Sequence, residues 1–107
     1  MTLCVVLCTA PDEQTAQTIA KSLVEARLAA CVNIVANVQS VYRWENEVTT
    51  DNEYQLVIKT TKEREKLAFK MTSEIHPYTV PEWVVIKEIG ASEEYMRWIE
   101  SEVDFDQ

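Results

Sequence analysis

The six residues from Leu3 to Cys8 carry no charged, amide or hydroxyl side chain. In an extended backbone Leu3, Val5 and Leu7 face one way and Cys4, Val6 and Cys8 the other, and neither set is polar. The run is too short for a helix and reads as a strand that must be covered on both faces. A chain of 107 residues and 12.3 kDa has room for one hydrophobic core, so we read 1–107 as a single domain. The cover must come from that domain's own helices or from another copy of it.

The hydrophobic period changes after this strand. From Asp12 to Ala30 the residues Ala16, Ile19, Ala20, Leu23, Ala26 and Ala30 recur at three- and four-residue steps, with Pro11, Asp12 and Glu13 at the start. That is an amphipathic helix with a sound N-terminus. Cys31 to Trp44 is rich in Val, Ile and aromatics, and Tyr54 to Thr60 alternates Tyr54, Leu56 and Ile58 against Gln55, Val57 and Lys59. Glu45-Asn46-Glu47 lies between them, and Asn tolerates a left-handed backbone, so a long hairpin is expected. Thr60 or Thr61 is placed to cap a second helix with Leu67, Met71 and Ile75 on one face, ending before Pro77. Trp83 to Ile89 follows Pro81 as a further strand, and Gly90 breaks it. A closing helix runs from Ser92 to about Glu102 with Tyr95, Trp98 and Ile99 on one face, and the last residues are expected to fray.

The order strand, helix, strand, strand, helix, strand, with an added C-terminal helix, fits the split βαβ plan: a ferredoxin-like α+β antiparallel sandwich. That plan sets the strands in the order 4-1-3-2 and packs both helices on one face. The second face would be open, yet the first strand is apolar there too. The closing helix covers only part of it, so we expect an oligomer, with the long hairpin reaching across a neighbour. The plan also gathers Cys8, Asp12, His76, Tyr78 and Glu82 at one rim.

Composition removes several function classes. Ten Lys and Arg against eighteen Asp and Glu leave a net charge of −8, which repels a phosphate backbone, so no nucleic acid partner is expected. The first basic residue is Lys21 and the N-terminal apolar run has only strand length, so neither a signal peptide nor a membrane span is expected. Three cysteines, Cys4, Cys8 and Cys31, without C-x-x-C spacing indicate no disulfide framework or zinc ribbon, and point to reducing cytoplasm. One Gly forbids a Gly-rich phosphate loop and one His forbids H-E-x-x-H; with no G-x-S-x-G either, we expect no enzyme.

Six strings then carry a resemblance: Cys8-Thr9-Ala10-Pro11, Ala29-Ala30-Cys31-Val32-Asn33-Ile34, Tyr42-Arg43-Trp44, Ile58-Lys59-Thr60, His76-Pro77-Tyr78 and Pro81-Glu82. In this order and spacing they span nearly the whole chain, which resembles the CutA divalent-cation tolerance family. The resemblance implies a ferredoxin-like subunit in a tight homotrimer with hairpin strands crossing between subunits. It also implies a role in tolerance of divalent metal ions, copper above all, with ligand positions at Cys8 and His76. Ile75 stands where some bacterial relatives have a further His, and Asn46 where Gly is frequent.

Thiolate sulfur suits Cu(I) and imidazole suits either copper state, so the implied pair is chemically apt. Two donors do not close a site, and a third would come from water, Cys4, Glu82 or another subunit. Cys4 lies on the same strand face as Cys8, but four residues of strand separate them by roughly 13 Å, too far to share one ion within a subunit. The plainer alternatives are a Cys8 that packs as a small hydrophobe and a His76 that ends a helix favourably. Lys59 and Glu82 are charges in or beside apolar strands and need partners or water. With Tyr42, Trp44, Glu53 and Tyr78 they suggest either an intersubunit cleft for a small molecule, as in a trimeric sensing or signalling module, or an interface salt bridge with aromatic anchors.

Overall fold

The computed structural model describes residues 2–104. The elements are β1 (Leu3–Ala10), α1 (Glu13–Glu25), β2 (Cys31–Trp44), β3 (Glu47–Thr61), α2 (Lys62–Ile75), β4 (Val84–Ile86) and α3 (Glu93–Glu102). The four strands form one antiparallel sheet in the order β2-β3-β1-β4, the expected order read from its other edge. The frayed end expected beyond α3 falls on 105–107, outside the described residues.

One face of the sheet carries the main core. Val6, Cys8 and Ala10 of β1 and Leu56 and Ile58 of β3 are buried under Ala16, Ile19, Ala20 and Leu23 of α1 and Ala68 of α2. Of the stripe expected on α2, Met71 and Ile75 pack against this core, whereas Leu67 is 49% exposed and Ala68 and Thr72 take the fully buried positions. Both helices share this face, and the small inward residues Ala16, Ala20 and Ala68 let them sit close to it. The cap of α2 also differs. Thr61 holds the N-cap position without a side-chain cap bond, while the hydroxyl of Thr60 donates to the Leu28 carbonyl at 2.7 Å.

Asp12 caps α1 by accepting from the Thr15 N–H at 2.7 Å. The helix stops at Glu25, short of the expected Ala30, because Arg27 turns left-handed at φ 58°. Arg27 N–H then bonds the Val24 carbonyl and Leu28 N–H the Leu23 carbonyl, a Schellman ending with Arg where Gly is usual. Leu28 is thereby folded back into the core.

The other face is covered only at one end. Ile99 and Val103 of the α3 segment pack on Leu3, Ala30 and Ile89. The inward stripe of α3 is Ile99 and Val103, whereas Tyr95 and Trp98 pair at 5.6 Å and stay partly exposed. Two arginines hold the C-terminus of α3, which has no basic residue of its own in its last turn: Arg27 donates to the Glu102 carbonyl at 2.9 Å and Arg64 to the Val103 carbonyl at 2.7 Å. Farther along this face Val35, Val84 and Ile86 remain exposed beside Val5, Leu7 and Val57.

The β2–β3 hairpin runs well past β1, and β4 is only Val84–Ile86, shorter than the expected Trp83–Ile89. The hairpin register shifts between Val35 and Val38, where Asn37 is left-handed at φ 60°. This bulge adds one residue to β2, so Val38, Ser40, Tyr42 and Trp44 share the pleat side of Glu53, Asp51, Thr49 and Glu47. The hairpin closes through Glu45 (φ 49°) and Asn46 (φ 66°), a two-residue turn of type I′ sense. The strain falls mainly on Glu45, since a bulky non-Gly residue disfavours positive φ. Replacing Glu45-Asn46 by Asn-Gly should raise stability by about 0.5–1 kcal/mol, read as a higher denaturation midpoint at unchanged slope.

Candidate functional site

The C-terminal end of β1 meets the C-terminal end of α2 at one backbone atom, the carbonyl oxygen of Thr9. Pro77 forces α2 to stop, and His76 leaves it in an extended conformation at φ −68°, ψ 134°. That turn drops the imidazole onto β1. His76 is 7% exposed, and its Nε2 lies 2.7 Å from the Thr9 oxygen. A carbonyl only accepts, so Nε2 carries the ring proton. Nδ1 accepts the backbone N–H of Tyr78 at 3.1 Å, consistent with the same tautomer. Both ring nitrogens are therefore engaged within the chain.

The thiol of Cys8 reaches the same Thr9 oxygen at 3.7 Å. Cys8 is fully buried, and burial first, then the negative charges of Glu82 and Glu53, push its thiol up to about 12. At neutral pH it is a thiol, and forming the thiolate takes a compensating positive charge. Cys8 and His76, far apart in sequence, are thus brought together through Thr9, which no side-chain pattern marked. Cys4 lies toward the other end of β1, where burial and the charges of Glu65 and Glu63 raise its thiol to about 11. Cys31 is partly exposed.

Tyr78 links this pair to an acidic group. Its ring lies 4.8 Å from the imidazole, and its hydroxyl donates to Glu53 Oε2 at 3.0 Å. Glu53 is 6% exposed although it sits on the hairpin just past the end of β1. Burial, then the bond to Glu53 and that residue's charge, push the Tyr78 phenol up to about 12, with Asp51 and Tyr42 adding to the effect. The carboxyl of Glu82 is raised by burial and by Glu53. The hydroxyl of Tyr42 donates to Asp51, which raises the Tyr42 phenol. Asp51 is not among the sequence candidates; its place two residues before Glu53 on one side of an alternating strand is the signal that would find it.

The proposed cleft residues therefore divide. Tyr42, Glu53, Tyr78 and Glu82 influence one another, and Trp44 stands exposed at the hairpin end. Lys59 is elsewhere: it pairs in register with Val5 and Cys31, and its Nζ lies 5.8 Å from the centre of the Tyr95 ring on α3. Asp12, also expected at the rim, is occupied as the cap of α1.

The model of the family described as "CutA1 divalent ion tolerance protein" matches residues 4–102. A "Divalent-cation tolerance protein CutA" of Thermus thermophilus is 48% identical over 95 residues, covering 89% of this chain and 92% of that protein. The solved structure of the divalent cation tolerance protein (Cut A1) from Thermus thermophilus superposes with a TM-score of 0.92 at 45% identity, over 95% of this chain and 99% of that one. CutA1 from Oryza sativa superposes with a TM-score of 0.94 at 33% identity, over 98% of this chain and 96% of that one.

Two measurements check this geometry. A neutral thiol reagent should leave Cys8 unmodified in the folded protein and label it once the chain is unfolded. In a tyrosinate absorbance titration Tyr78 should ionise near 12 rather than at the ordinary 10.0, and Glu53→Gln should lower that midpoint. The folded state favours the neutral phenol, so this contribution to stability is complete below pH 10 and is lost as pH rises through about 12.

Proposed function

Because the chain belongs to the CutA1 divalent ion tolerance family, we propose that it serves tolerance of divalent cations by binding a metal ion, copper foremost, at the rim where Cys8 and His76 meet. The observation that carries this reading is the approach of a thiol and an imidazole, from β1 and from the end of α2, to the single Thr9 carbonyl. Sulfur and imidazole together are a copper-type donor pair. The carboxylates of Glu53 and Glu82 make the rim negative, which favours a cation. Among the described residues no three His, Cys, Asp or Glu side chains already form a metal-holding group. The donor pair fits a partly open site, completed by water, by Glu82 or by a neighbouring subunit.

The working form we propose is a homotrimer. Supporting it are the exposed Val35, Val84 and Ile86 on a sheet face that α3 covers only at one end, and the exposed Val41 and Val48 on the hairpin. Apolar side chains left exposed in this way are characteristic of interfaces. The unpaired cysteines support a reducing cytoplasmic setting. No helix among the described residues is long and apolar enough to cross a membrane. The role is one of binding and not of turnover. A second reading, a trimeric small-molecule sensor with its cleft at Tyr42, Trp44, Glu53, Tyr78 and Glu82, is favoured by the linked Tyr42–Asp51 and Tyr78–Glu53 pairs.

Chelator-competed titration with Cu(I), Cu(II) and Zn(II) on the native protein, Cys8→Ser and His76→Ala, with mass measured alongside, tests both readings. Metal binding at the rim requires affinity that falls by about tenfold or more in each variant while the trimer persists. Equal weak binding in all three moves the search to the cleft, where a thermal-shift screen of nucleotides and organic acids should then yield a ligand.

A further inference from the structure

The hydrogen bonds around His76 determine which of its nitrogens is open to a cation. Nε2–H points at the Thr9 carbonyl, which belongs to a central strand and is packed beside the fully buried Cys8. Coordination at Nε2 would leave that carbonyl without the imidazole donor and would shift the ring proton to Nδ1, where it would face the N–H of Tyr78, donor against donor. Coordination at Nδ1 keeps Nε2–H on Thr9 and takes no proton from the ring. It displaces only the Tyr78 amide, which lies in an exposed segment, with Pro77 to Val80 all exposed, where water can replace the lost acceptor. A coordinating imidazole whose other nitrogen donates to a backbone carbonyl is also the usual arrangement of metal-bound histidine.

The second observation lies on the same Tyr78. Its hydroxyl holds Glu53 Oε2 while its amide covers Nδ1. Glu53 is almost wholly buried, and this phenol is its side-chain hydrogen-bond donor. One residue therefore masks a nitrogen donor and an oxygen donor together.

Resting on the reading above only in that a divalent cation binds at His76, we propose that Tyr78 is a latch on the rim, held shut by its bond to Glu53, whose displacement opens His76 Nδ1 to the cation while the Thr9 carbonyl keeps the imidazole oriented. Tyr78 is a positioning residue, and the imidazole nitrogen it uncovers, on a rim made negative by Glu53 and Glu82, suits zinc(II) or copper(II). Metal uptake at this rim is then coupled to movement of 77–80, and Tyr78 opposes it at rest.

His76 is the sole histidine, so histidine labelled with 15N in the ring reports on it alone. Long-range proton–nitrogen spectra of the full chain should show Nε2 protonated and Nδ1 bare without metal. On addition of zinc(II) the Nδ1 resonance should move while Nε2 keeps its proton. Tyr78→Phe, shown by mass to keep the native assembly, should bind zinc(II) about tenfold more tightly, the scale of one hydrogen bond to a charged group. Movement of Nε2 with loss of its proton, or a Tyr78→Phe protein that binds no more tightly than the native one, overturns the latch and leaves the metal reading standing. Resonances unmoved by zinc(II) or Cu(I) in both proteins overturn the latch and metal binding at His76 together.

Discussion

Everything in this fold is arranged around a strand that cannot tolerate water on either side. β1 lies between β3 and β4, with its Val6, Cys8 and Ala10 face under two helices. Its Leu3, Val5 and Leu7 face has α3 at the Leu3 end only. Burying a Val or Leu side chain is worth about 1.5–3 kcal/mol, so leaving half a face uncovered is a real loss for a domain of this size. The third helix, its two arginine caps and the apolar margin along Val35, Val84 and Ile86 all follow from that demand.

The same strand organises the rim through its backbone. Thr9 supplies a carbonyl that a thiol and an imidazole both approach, and it does so because β1 continues to Ala10 while α2 is stopped by Pro77. Around this neutral centre lie Glu53, Glu82 and Asp51, with phenols donating to Glu53 and Asp51. Burial and like charge act together there: both raise Cys8 and Glu82, and both disfavour additional negative charge. A rim of this composition resists becoming more anionic.

Much of this is legible in the chain itself. The period-two and period-3.6 patterns locate all seven elements, the helix start at Asp12 and the left-handed Asn46. Their order predicts the sheet topology. What escapes depends on partners distant in sequence. Ala26 and Ala30 continue the helical spacing, yet α1 stops because Leu28 gains more by folding into the core than Arg27 loses in turning left-handed. Leu67 has the spacing of a core residue, and only the approach of α1 over the same face puts Ala68 there instead. Lys59 and Glu53 look alike in sequence as isolated charges, but one strand carries them to different neighbours, Lys59 to the α3 end and Glu53 to Tyr78.

The candidate site shows the same division. Residue types and their order determined the fold class, the excess of acidic residues and the meeting of Cys8 and His76 at one rim, because hydrophobic period and side-chain chemistry are local properties. Tertiary structure alone decided the rest. The bulge at Asn37 determined which side of the hairpin Tyr42 and Trp44 occupy, since one inserted residue reverses every side chain beyond it. The tautomer of His76 was decided by an oxygen and an amide of the backbone, and nothing in a sequence distinguishes the carbonyl of Thr9 from any other until the chain brings an imidazole to it.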